Sequence, residues 1–196
     1  MNRLWLWLLV ILGLYGGYQF WTTRDVPHPP GILAAAGPVQ GPLRGDPPRF
    51  RRGDAEITAV ARFEMAARVI GVEPYRIDRM ASLVPVDLAF GWGPMSDSKV
   101  LSRLSITQSN RFYFWTTEEF PIPRREIETH SANMHLIAAS ETVARRIRSA
   151  RVGQVVALSG YLVNVRTDVG WSIKSSLSRE DTGAGACEVI WVETFE

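Results

Sequence analysis

Apolar positions along this chain change their pattern three times, and each pattern predicts a different kind of structure. Residues 4–21 read LWLWLLVILGLYGGYQFW, a run of 18 in which 14 are apolar and none is charged. A helix of that length rises about 27 Å, close to the hydrocarbon thickness of a bilayer. Trp5, Trp7, Tyr18, Phe20 and Trp21 crowd its two ends, where amphipathic rings favour the headgroup zone. A cleaved signal peptide needs small residues just after a shorter apolar core, whereas bulky aromatics follow here. Residues 1–23 are therefore read as a retained transmembrane anchor, a single-pass signal anchor. Gly13 and Gly17 form a G-x-x-x-G step within it, a close-packing face for a homodimer.

The second pattern has no period. Residues 26–53 hold seven of the chain's 12 prolines and five glycines. Proline fixes φ and lacks an N–H, so neither a helix nor a central strand is expected. Residues 24–53 are read as a Pro/Gly-rich linker, a spacer reaching about 30 Å if flexible. Arg44, Arg49, Arg51 and Arg52 cluster towards its end, as a contact for anionic headgroups or as a solvated flank.

From residue 54 to 196 the pattern is that of one globular domain, large enough to bury its own core. Ile57, Ala59, Ala61, Phe63, Met65, Ala67 and Val69 alternate with polar residues and predict a long strand, or two joined by a bend. Residues 75–80 are expected to pair with it. Pro85 opens a short helix through Phe90, stopped by Gly91. Ser96 or Asp97 caps a second helix through Leu101. Residues 104–115 read as one aromatic strand, and residues 124–129 as a helical turn. Ser140 caps a clearer helix with Val143 and Ile147 inward and arginines outward. Strands over 155–165, 170–177 and 187–194 complete the domain, the first two joined by a hairpin at 167–170. The fold class expected is α+β: the transmembrane helix, the proline-rich linker, then a small, partly open, OB-like β-barrel or curved sheet with short helices.

Charge adds place rather than chemistry. Lys and Arg number 22 against 20 Asp and Glu, a net charge of +2. So balanced a chain lacks the single-sign field of a nucleic-acid binder, and no nucleic-acid partner is expected. Arg3 on the inner flank, against Arg24 offset by Asp25 on the outer, puts the N-terminus inside and the domain outside. In a bacterium that is an inner-membrane protein with a periplasmic or extracellular domain. Cys187 is the single cysteine and cannot form an internal disulfide.

The candidate chemistry is sparse. Asp181-Thr182-Gly183-Ala184 matches the D-T-G-A string of retropepsin-type proteases. Ser178-Arg179-Glu180 replaces the apolar strand that precedes the motif there, and only 13 residues follow Gly183, so a turn is expected. His130 and His135 are five apart, which puts them on different faces of a helix or strand, and no metal or cofactor is expected. Cys187, in an apolar strand-like run, reads as an inert buried thiol or as a thiol nucleophile with a histidine partner. Trp92 stands between Gly91 and Gly93, where a ring can be presented to a ligand or packed in a core. Polar, turn-forming residues concentrate at 91–97, 130–135 and 179–188. The expected binding residues are Trp92, Asn133, His135, Arg179 and Asp181, brought together where these segments meet.

The strings PVDLAFGWGPMSD, SANMHLI and SREDTGAGACEV resemble signature strings of an uncharacterised family of bacterial single-pass membrane-anchored proteins. That resemblance runs from about residue 75 to the C-terminus and brings no catalytic residue with it. The function expected is non-enzymatic: a membrane-anchored domain that binds a protein partner or an envelope component. The alternative is a hydrolase that gathers His135, Asn133, Asp181 and Cys187. Hydrogen-bond reach among those side chains favours the hydrolase, and an exposed aromatic patch favours the binding domain.

Overall fold

The computed structural model describes residues 3–178 and 187–196, with side chains in the N-terminal helix described for Trp5 and for residues 7–17. Helix α1 runs Arg3–Thr23. Among the described residues no helix is long and apolar enough to cross a membrane, so the expected transmembrane segment is without support in the fold.

The domain is mostly sheet. In chain order the strands are β1 (Val39–Gly41), β2 (Arg49–Arg52), β3 (Ala55–Pro74), β4 (Val86–Gly91), β5 (Ser105–Ser109), β6 (Phe112–Thr116), β7 (Ser131–Ala138), β8 (Val155–Thr167), β9 (Ser172–Lys174) and β10 (Glu188–Phe195). Three short helices join them: α2 (Ser98–Leu101), α3 (Arg124–Thr129) and α4 (Glu141–Arg148).

The 20-residue strand β3 organises the molecule. Its first two thirds pair with β8 and its last third with β4, and the register shifts at Val60 and at Ile70. Bulges of this kind bend and twist a strand, letting one strand serve two neighbours. The path β3-β4-β7-β10-β8 returns to β3, so the sheet curls into a partly closed barrel. All its neighbours are antiparallel except β7 and β10, which run parallel with Val189 opposite His135. Phe63, Leu88, Phe90, Met134, Leu136, Leu162 and Ile190 fill the interior, joined at one end by Val143 and Ile147 of α4. Ser140 caps that helix, its hydroxyl accepting from the Val143 N–H at 3.3 Å.

Three expected elements differ. Residues 86–91 form a strand rather than a helix: all six are buried, and a short apolar run between two strands does not show its period. Residues 75–80 form turns before β4 instead of its partner. Residues 104–115 fold back on themselves as the β5–β6 hairpin, because Asn110 and Arg111 take φ of +52° and +71°.

The segment expected as a spacer is laid against the domain. Val26 N–H donates to Val152 O at 2.8 Å, and His28 Nε2 lies 2.9 Å from Gly153 O. Gly31, Leu33 and Ala34 bond to Asp97 and Ser96, and β1 and β2 both pair with β3. Phe50 stacks on Trp191 with centroids 4.3 Å apart, and Arg52 donates to Ala138 O at 2.6 Å. Proline excludes a central strand but allows short edge strands, and the backbone amides between the prolines still require partners.

Candidate functional site

The outer surface of β4 and β7 carries polar groups where most of the sheet is apolar. Asp87 lies opposite His135, Ala89 opposite Asn133 and Gly91 opposite Ser131. Side chains alternate across a strand, so Asp87, Ser131, Asn133 and His135 share one face, away from the interior side chains of Leu88, Met134 and Leu136. The β5–β6 hairpin, inserted between β4 and β7 in the chain, closes over them. Gly71 at the second bulge of β3 makes room, since a Cβ there would collide with the Gln108 amide.

Polar bonds rivet the hairpin down. Gln108 Nε2 donates to Asn133 Oδ1 at 2.8 Å, Asn133 Nδ2 donates to Arg111 O at 2.9 Å, and Tyr113 Oη lies 2.7 Å from Ser131 Oγ. Arg111 is the centre of the network. Its guanidinium donates to Asp87 Oδ1 at 2.8 Å, to Val84 O at 2.9 Å and to both Asp78 oxygens, and lies 3.8 Å from the centre of the Tyr75 ring. Burial favours the neutral Asp78 acid, but its bonds from Arg111 prevail and hold its carboxyl below the usual range. Burial pushes the Tyr113 phenol up.

His135 completes the network at the hairpin-turn end, beside Asp87. Its Nδ1 is 2.9 Å from Asp87 Oδ1, and Cys187, the residue before β10, is a second polar neighbour. Burial alone would lower the imidazole pKa. The bonds to Asp87 and Cys187 outweigh it and push the value up to about 9. Asp87 is 0% and His135 1% exposed, whereas Cys187 is half-buried.

Of the expected binding residues, Asn133 and His135 stand together, but as buried members of this network. Trp92 does not join them: it is 4% exposed and packs in the barrel interior, its backbone N–H donating to His130 O at 3.0 Å. Its expected role as a surface is corrected, because the chain entering the turn after β4 directs the ring inward. Arg179 and Asp181 lie outside the described residues. His130 bonds Glu126 O from its own Nδ1 and has no part in the cluster. Among the described residues no three His, Cys, Asp or Glu side chains are grouped as a metal site requires. Asp87 and Arg111 escaped the sequence reading, Asp87 inside an apolar run and Arg111 at a turn with no proline or glycine to mark it.

The opposite face of the hairpin is open. Phe112 is 37% and Phe114 51% exposed, side by side along β6, with Phe120 at 52% set edge-on to Trp115. Comparison with family models, with curated proteins and with solved structures finds no match.

Proposed function

We propose that this protein is a single-pass, membrane-anchored domain that binds a protein partner through the aromatic face of the β5–β6 hairpin. The observation that carries the reading is the pairing of rigidity with exposure. Phe112 and Phe114 face solvent on a hairpin fixed to the barrel by Arg111, Gln108, Tyr113 and their partners. Aromatic side chains held in place lose little conformational freedom on binding, which is why they anchor interfaces. Their exposed neighbours Ser105, Thr107, Ser109 and Thr116 form the small polar rim such a contact uses. The barrel order, with a parallel closing pair and a helix capping one end, supports an OB-like scaffold.

The anchor reading rests on the apolar run of residues 4–21, in which Leu8, Leu9, Val10, Ile11, Leu12 and Leu14 are 43–70% exposed. So much aliphatic surface in water is unfavourable by ~25 cal/mol per Å², and lipid or a second helix removes the cost. Nothing lies within 4 Å of where a Cβ would stand on Gly13 or Gly17, leaving that face open for a second anchor. The Arg3 flank directs the domain outward, to the periplasm of a bacterial host.

A photo-crosslinking residue at position 114 of the full-length protein, expressed in its native membrane, tests the binding surface. One discrete partner band should form and should vanish with Phe112→Ser. A band that persists at full strength would remove the hairpin face from consideration. Resistance of the protein to alkaline carbonate extraction tests the anchor separately.

A further inference from the structure

Two cavities adjoin at the turn before β4, and no residue of the β5–β6 hairpin lines either. The larger, about 390 Å³, opens between that turn, the β2–β3 turn and the β8–β9 turn, with Arg52, Asp54, Arg79, Leu83 and Trp171 in its walls. The smaller, about 120 Å³, is a slot between α4 and β7, walled by Leu83, Leu136, Ile137, Ala144 and Ile147. Arg52, Ser82 and Leu83 belong to both, so the two make one groove with a guanidinium at its waist. Helical spacing turns Glu141, Ala144, Ile147 and Arg148 to the same side of α4, and the small Ala144 leaves room for the slot.

Arg52 is held in place without any ligand. It donates to Ala138 O at 2.6 Å, and its guanidinium carbon lies 5.6 Å from the centre of the Trp191 ring. The rest of its donor fork is left for an acceptor in the groove. Neither Arg52 nor Arg79 has a carboxylate within 4 Å among the described residues, whereas Arg148, at the rim of the slot, lies 3.8 Å from Glu141. Two cations against one anion, Asp54, give the larger cavity a single positive charge. We propose that this groove binds a medium-chain aliphatic monocarboxylate, with the carboxylate on Arg52 and Arg79 and the alkyl tail in the slot beneath α4.

Each part of such a ligand answers a part of the groove. A guanidinium presents its donors as a planar fork that matches the two oxygens of a carboxylate, and these charge-assisted bonds are stronger than neutral ones. A monoanion cancels the one positive charge of the larger cavity, where a dianion leaves an excess. The slot walls are aliphatic, so every methylene drawn into them from water adds to the affinity. The ligand contacts no residue of the hairpin face, and the site depends on neither the anchor nor the protein partner.

The test is equilibrium dialysis of radiolabelled hexanoate against the full-length protein in phospholipid nanodiscs, with empty nanodiscs as the blank. One saturable site per protein is expected near neutral pH, where the carboxylate is ionised. Acetate keeps the carboxylate and loses four methylenes, whereas hexan-1-ol keeps the tail and loses the charge. Each should compete at least roughly tenfold less well than unlabelled hexanoate. Arg79 is exposed, so Arg79→Gln should leave thermal unfolding unchanged while weakening hexanoate by roughly threefold or more. Ala144→Leu fills the slot and should weaken hexanoate at least roughly tenfold, towards the affinity of acetate. The wild-type series needs no variant and decides the matter even if Ala144→Leu misfolds. Absence of a saturable hexanoate site overturns the proposal, as does hexan-1-ol competing as well as hexanoate, or a folded Ala144→Leu that binds hexanoate as wild type does. None of these results bears on the hairpin face, whose crosslink is read independently.

Discussion

Arg111 sits in the left-handed region at φ +71°, where a two-residue hairpin turn ordinarily takes glycine. An L side chain pays roughly 1–2 kcal/mol there, and the guanidinium's bonds to Asp78, Asp87 and Val84 offset that strain. Arg111→Gly relieves the turn but leaves Asp87, 0% exposed, without its arginine. Breaking one side of a buried ion pair costs about 3–5 kcal/mol, so the net expectation is a loss of about 2–3 kcal/mol in denaturant unfolding. A variant as stable as wild type would mean that Asp87 does not depend on Arg111. His135 gives a second prediction. Its folded pKa of about 9 stands above the 6.5 of the unfolded chain. The stabilisation it supplies is therefore complete below pH 6.5 and drains away as the pH rises through 9. Stability measured between pH 6 and 10 should fall over that window, and His135→Gln should flatten the fall.

At the scale of elements, the turn after β4 grips the proline-rich segment. Ser96 Oγ accepts from the Leu33 and Ala34 N–H groups at 3.1 Å and donates to Gly93 O at 2.7 Å, while Asp97 Oδ1 accepts from Gly31 N–H at 2.8 Å. Ser96→Ala removes that acceptor and should cost roughly 1–2 kcal/mol, with faster amide exchange at Leu33 and Ala34 as the local readout. Exchange rates left unchanged would show the segment to be held by its other bonds alone. The elements most legible in the sequence are those with one wet face. Alternation in residues 57–69 announced β3, and Ser140 with Val143 and Ile147 announced α4, because solvent on one side imposes a period. Residues 86–91 are enclosed on both faces, so solvent imposes no period there and the run reads as a helix, whereas residues 131–136 do alternate, Ser131, Asn133 and His135 against Ala132, Met134 and Leu136, over too short a polar run to announce a strand. The same enclosure explains the site. Asn133 and His135 were visible as polar residues in a distinctive string, but their partners Asp87 and Arg111 come from 48 and 22 residues earlier, through pairings no local pattern records.

Taken whole, the molecule is a barrel wrapped by the segment that precedes it. A chain beginning at residue 54 forgoes β1, β2 and the stack of Phe50 on Trp191. We expect residues 24–196 to unfold cooperatively and residues 54–196 to unfold at least ~5 °C lower, measured by thermal denaturation. Equal melting temperatures would return the segment to the role of a spacer. The position of β10 has a consequence during synthesis. Residues 188–195 slot between β7 and β8, and β10 leaves the ribosome after every other strand of this barrel. Until then β7 and β8 have open edges where β10 will pair. A nascent chain would therefore stay unclosed, and so threadable through a translocon, until β10 is made.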